Sequence, residues 1–150
     1  TIQGIVLADS GTHKKSEITF SELLKNFKKD LGEEIGAISS FIGVVRKKSK
    51  KEGMVKKLHC ESAKNVEQEL KEVAEEVERN INGVSKIHIH HIIDDLEPGD
   101  EIIYVLVNGA HRNEAFQALP TVMDKVKSEV RIWKKEITED DDYWIHEANK

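Results

Sequence analysis

The residues most able to do chemistry are cations set where a surface pattern would not put them. Lys127 is the first. On a helix over 113–130, with Phe116 taken as 0° and about 100° per residue, Leu119 falls near −60°, Met123 near −20° and Val130 near −40°. Lys127 then falls near +20°, inside the apolar stripe. Lys125 falls on the opposite side, where lysines of amphipathic helices normally sit. A lysine aimed at the core must snorkel outwards, pair with an acid, or face a pocket. In a pocket it can act as an acid, a base or an anion anchor.

Two more cations stand just before that helix. Asn108-Gly109-Ala110-His111-Arg112 joins a strand end to the helix start, where backbone N–H groups already favour anions. His111 and Arg112 add donors there, giving either a phosphate or carboxylate site or a plain capping loop. After the helix comes Arg131-Ile132-Trp133-Lys134-Lys135-Glu136. A period of two sets Lys134 on the face of Ile132, with Trp133 and Lys135 opposite. His88 and His90 share a strand face and His91 follows, but no third ligand has matching spacing. Half-buried strand histidines are expected rather than a metal site. Cys60 lacks an adjacent activator and reads as a small buried side chain. No Walker loop, GxGxxG, GxSxG or HExxH motif occurs.

The elements that hold these residues follow from periodicity and punctuation. Strands are expected over 2–7, 35–46, 55–61, 84–93, 101–107 and 131–138. Helices are expected over 21–31, 63–80 and 113–130. Thr19 or Ser21 suits the first helix start and Gly32 its stop. Val66, Leu70, Val73, Val77 and Ile81 mark the second helix, one turn apart. Pro120 must bend the third helix or delay its start. Pro98-Gly99 makes a turn with positive φ at the glycine, and so an antiparallel hairpin. The order is that of an α+β fold, with helices against one sheet.

Composition narrows the function classes. The chain has 150 residues, 38% hydrophobic and 34% charged, which suits one domain with a densely ionic surface. No run approaches the roughly 20 apolar residues of a membrane span. No charged start precedes an apolar run, so no signal peptide is expected. One cysteine excludes an internal disulfide, and a reducing cytoplasm is the expected setting. Net charge is −5, with 23 basic and 28 acidic residues, so a nucleic-acid partner is not expected, and without an apolar span neither is a membrane. Seven of the twelve residues from Arg46 to Lys57 are basic, and Glu139-Asp140-Asp141-Asp142 is an acidic run. Both read as mobile solvated loops or, alternatively, as docking segments for partners of opposite charge.

Several fragments together resemble the large, catalytic subunit of molybdopterin synthase. They are Gly36-Ala37, Phe41-x-Gly43-x-Val45-Arg46, Leu96-x-Pro98-Gly99-Asp100, Ala110-His111-Arg112 with Ala115-Phe116, Lys127, Trp133-Lys134-Lys135-Glu136 and Trp144. They run in family order over about 35–145, while 1–34 match loosely. The resemblance implies an α/β-hammerhead fold, mainly antiparallel with flanking helices. It implies a homodimer flanked by two copies of a small ubiquitin-like sulfur carrier, a heterotetramer. The carrier's C-terminal Gly-Gly thiocarboxylate would enter a pocket and give two sulfurs to cyclic pyranopterin monophosphate, making the molybdopterin dithiolene. Lys127 and Lys134 match the catalytic positions. Val44, Val45, Arg46, His111, Arg112, Lys135 and Glu136, with the two lysines, match the substrate-binding ones. No cofactor and no metal is implied. His146 stands near the place of a basic residue that reaches the neighbouring subunit's pocket. The alternative is a non-catalytic, carrier-binding scaffold of the same fold.

Overall fold

A computed structural model of the chain describes residues 7–145. Most of the expected strand over 2–7, and His146, therefore lie outside the described residues. The order is β1 (Gly11–His13), α1 (Phe20–Phe27), β2 (Ala37–Val44), β3 (Val55–Ser62), α2 (Val66–Asn80), β4 (Val84–Ile92), β5 (Asp95–Leu96), β6 (Glu101–Gly109), α3 (Arg112–Glu129), β7 (Ile132–Thr138) and β8 (Asp142–Ile145).

The strands form two four-stranded sheets, not the single sheet expected. One has the order β1-β4-β6-β2, the other β5-β3-β7-β8. All pairs are antiparallel except β1 with β4. The α+β class is as expected. The Pro98-Gly99 turn also forms, with Gly99 at φ +93°. The strands on either side, β4 and β6, pair antiparallel as expected, but the connection is long enough for β5 within it to pair with β3.

The first sheet carries the core. From Ile102 to Val107 every side chain of β6 is at most 6% exposed, so both faces of that strand are covered. α2 packs on β4, and α3 packs on β2, β6 and α2. Truncating a fully buried leucine such as Leu106 to alanine should cost about 2–5 kcal/mol.

α1 begins at a capping box: Thr19 Oγ1 accepts from Glu22 N–H, and Glu22 accepts from Thr19 N–H. It stops at Phe27, earlier than expected from Gly32, and Asp30 turns the chain at φ +57°. α3 starts at Arg112 and runs through Pro120, which lies exposed on the helix.

The β4 histidines are more deeply buried than expected: His88 is 2% exposed, His90 0% and His91 1%. β4 is an inner strand, which explains the difference. His88 meets Phe27 edge-on at 4.7 Å between ring centres, and His90 Nδ1 lies 2.9 Å from His13 Nε2. Burial lowers their pKa values, to about 4 for His88 and about 3 for His90 and His91. The unfolded chain, with ordinary values of 6.5, then binds more protons than the folded one as acidity rises. Their stability contribution is full above pH 6.5 and declines as pH falls towards 4. Each group costs about 1.4 kcal/mol per pH unit inside that window. His59 works in the opposite sense, raised by hydrogen bonds to Asp95 and then Glu61, but it is a single, largely solvated group. Calorimetry should show a flat Tm above pH 7 and a steady fall between pH 6.5 and 5; a Tm independent of pH over that interval would contradict the neutral burial.

Candidate active site

α3 and β7 are joined through Val130 and Arg131 alone, so the chain reverses sharply. Arg131 pins this corner to α2. Its backbone N–H and its Nε donate to Glu69 at 2.9 and 2.7 Å, and its guanidinium also donates to Asn65 at 2.7 Å. The backbone donor above all, then the guanidinium, holds the Glu69 carboxyl below the usual range.

The reversal places Lys127 and Lys134 around one small cavity of about 40 Å³. His91 of β4 and Ile103 of β6 close one side. Met123, Val126 and Val130 of α3 and Ile132 of β7 complete the wall. The two sheets and the end of α3 meet here. Lys134 is half-buried, while Lys127 is exposed at the rim.

The rim position corrects the helical-wheel expectation. Phe116, taken as the stripe's origin, is 65% exposed. The buried side of α3 is Ala115, Ala118, Val122 and Val126, well round from Phe116. Lys127 therefore flanks the stripe, beside Met123 and Val130, instead of pointing at its centre. Lys125, expected on the opposite, solvent side, is instead only 25% exposed and turns towards α2, where it pairs with Glu76 at 2.6 Å.

His111 and Arg112 stand at the other end of α3 and are exposed. His111 is the N-cap, with no side-chain cap bond, and its Nδ1 lies 3.5 Å from Glu114. The preceding loop fits tightly against the entry to β2, where a Cβ on Gly36 would come within 2.7 Å of the Ala110 carbonyl oxygen. Sixteen helical steps separate His111 from Lys127, roughly 24 Å at 1.5 Å each. One chain does not bring these two groups of cations together.

Arg46 lies at the cavity's end of the first sheet. Gly43 of β2 pairs with Ile103, which lines the cavity, and Arg46 follows three residues later, exposed. Val44 is 53% exposed and Val45 5%. Lys135 projects from the other face of β7, 5.5 Å over the Trp144 ring and 3.8 Å from Asp142. Glu136 is buried on the same side as Lys134 and accepts from Ser49 Oγ and Lys50 N–H, both at 3.1 Å, and from the Tyr143 hydroxyl.

That carboxylate organises the lysine-rich segment, which is not the loose loop expected. Ser49 is 3% exposed and bonded to Glu136 and Tyr143. Lys51 N–H donates to the Tyr143 hydroxyl at 3.2 Å, and its ammonium lies 4.2 Å over that ring. A bridge between Lys48 and Met54 closes the loop. The acidic run is likewise the β7–β8 turn, with Thr138 N–H donating to the Asp141 carbonyl at 2.8 Å. The two runs of opposite charge face each other across a cavity of about 870 Å³. Ser49 and Tyr143 carry no local signal that could have shown this role.

Cys60 is 2% exposed, and burial pushes its thiol up to about 11, which fits an inert core residue. Among the described residues no group of three or more His, Cys, Asp or Glu is placed to hold a metal ion. Among them, no helix is long and apolar enough to cross a membrane.

An α+β frame with lysines gathered at an inter-sheet cavity and a His-Arg pair at a helix start defines the class. The chain belongs to the MoaE protein family, whose profile matches residues 13–129. It is 36% identical to the molybdopterin synthase catalytic subunit of Escherichia coli over 114 residues, 75% of each protein. It is 35% identical to a probable molybdopterin synthase of Haloferax volcanii over 133 residues, 87% of this chain, and spans about half (51%) of that relative's length. Molybdopterin synthase from Staphylococcus aureus superposes with a TM-score of 0.82 and 26% identity, over 93% of this chain and 98% of that one. A chain from the complex of subunits 1 and 2 of Helicobacter pylori molybdopterin-converting factor shares the fold, with a TM-score of 0.71 and 18% identity over 91% of this chain and 90% of that one.

Removing the Tyr143 hydroxyl should free the lysine-rich segment. Tyr143→Phe is expected to speed tryptic cleavage there roughly 5- to 30-fold, the ratio that 1–2 kcal/mol of local stability represents. Timed digestion read by mass spectrometry checks this, and an unchanged cleavage rate would show that the hydroxyl does not hold the loop.

Proposed function

We propose that the chain is the sulfur-transferring, catalytic subunit of molybdopterin synthase. It takes the C-terminal Gly-Gly thiocarboxylate of a small ubiquitin-like carrier and passes sulfur twice to cyclic pyranopterin monophosphate, giving the molybdopterin dithiolene. The observation that carries this is the meeting of Lys127 and Lys134, from different elements, at one apolar-walled cavity. Substrate phosphate and carrier tail are both anions. Cations fixed in a partly dry place bind them and stabilise charge that develops as sulfur moves. Lys127 acts at the attacked carbon, by proton transfer or by its charge. Lys134 and Arg46 hold the phosphate or the tail.

His111 and Arg112 join this site from a second copy. The length of α3 keeps them from their own chain's lysines. Among the described residues β2 is an edge strand, and it exposes Ile38, Phe41, Ile42 and Val44, an apolar strip suited to self-association. A homodimer with one carrier on each copy is the working assembly, and the two-subunit complex of the Helicobacter pylori protein of this fold supports the carrier's part in it.

Mixing the purified chain with thiocarboxylated carrier and cyclic pyranopterin monophosphate should yield the dithiolene product. Lys127→Ala should lower its formation by about 10²-fold or more, the scale for removing one preorganised charge, while carrier binding by calorimetry stays near normal. Carrier binding without product in the wild type would favour the scaffold reading. Near-normal turnover of the variant would refute the role of Lys127.

A further inference from the structure

The cavity shared by the two lysines has a third polar wall. His91 is 1% exposed, and its ring lies on the opposite side of β4 from His88 and His90. Its Nδ1 lies 2.9 Å from the Ile92 carbonyl oxygen. A carbonyl only accepts, so Nδ1 carries the hydrogen and donates. Nε2 is then an uncharged lone pair, the remaining polar atom of a ring that lines the cavity.

Burial and then the Lys134 charge depress the imidazole pKa to about 3. The charged groups facing the ring across the cavity are Lys127 from α3 and Lys134 from β7; β6 contributes only Ile103. Protonated His91 would be a third positive charge beside two ammonium groups. It therefore stays neutral at working pH. So weak a base is also poorly matched to proton abstraction, since general bases serve best near the operating pH. What remains is a fixed, neutral hydrogen-bond acceptor next to cations that must be aimed.

We infer that His91 is a positioning residue of the sulfur-transfer site: its Nε2 accepts a hydrogen bond from the Lys134 ammonium and directs that cation towards the bound anion. This rests on the sulfur-transfer reading for its consequence, though not for its geometry. A glutamine can replace the acceptor with its amide oxygen, whereas a leucine of similar bulk cannot.

The test has two parts. Histidine ¹⁵N NMR of the wild-type chain between pH 5 and 8 should show His91 neutral throughout, with hydrogen on Nδ1 and none on Nε2. An imidazolium, or hydrogen on Nε2, would overturn the inference. In the reconstituted assay, His91→Leu should lower kcat about 10- to 100-fold, as expected for losing a hydrogen bond to a charged group. His91→Gln should recover most of that loss, with KM for the carrier little changed in both. Equal damage in the two folded variants would mean that the ring acts by packing alone, and wild-type kcat in His91→Leu would mean that it has no role; either result overturns the inference. The tautomer measurement needs no substrate and decides the matter even if a variant fails to fold. Absence of product from the wild type would sink the sulfur-transfer reading and leave the tautomer result standing.

Discussion

The pairing of β4 with β6 is the constraint on which the rest depends. β6 is covered on both faces, and β4 is held between it and β1. Strands buried this way have a fixed register, because a one-residue slip would exchange the two faces. The register sets His91 opposite Ile103 and puts both at the inter-sheet cavity. The same ladder fixes where β6 ends, and so where α3 begins. α3 returns along the sheet and delivers Lys127 to the starting end of β6.

From this follows the division of the cations. Lys127, Lys134 and Arg46 belong to one end of the first sheet, and His111 and Arg112 to the other. The rigidity of an 18-residue helix makes the division permanent within a chain. In the proposed homodimer a second copy removes it without any internal rearrangement. Holding ammonium groups near apolar walls costs solvation, and under the proposed function an anionic substrate offsets that cost only when it is bound. The corner anchored by Arg131 and the Glu136 cluster with Ser49 and Tyr143 keep the surrounding backbone in place, so that little ordering is left to the substrate.

Much of the frame was legible in the sequence because its signals are local. The apolar spacing from Val66 to Val77 marks α2, the Thr19–Glu22 capping box starts α1, and Pro98-Gly99 makes its turn. What escaped is long-range. β1 and β5 have three and two residues and exist only through their partners β4 and β3. β8 begins inside an acidic run that composition marks as loop. The split into two sheets is set by which strand β5 and β7 choose, and no residue announces that choice. The α3 stripe was misplaced by trusting Phe116, a large apolar residue that this helix leaves in solvent. Lys134 stood out by type and spacing, whereas Lys127 stood out only against that misplaced stripe. Ser49 and Tyr143, 94 residues apart, could be linked only by the fold, and His91 was hidden among histidines that face the other way.

The most direct measurement uses two disabled chains. Lys127→Ala and Arg112→Ala chains, differently tagged, are co-expressed, and the mixed dimer is isolated and assayed with thiocarboxylated carrier and pyranopterin. Each parent dimer has both sites broken. In the mixed dimer one site loses both residues and the other keeps both. A site shared between copies therefore predicts product from the mixed dimer at about half the wild-type rate, with both parents near zero. A mixed dimer as inactive as its parents would contradict the shared site.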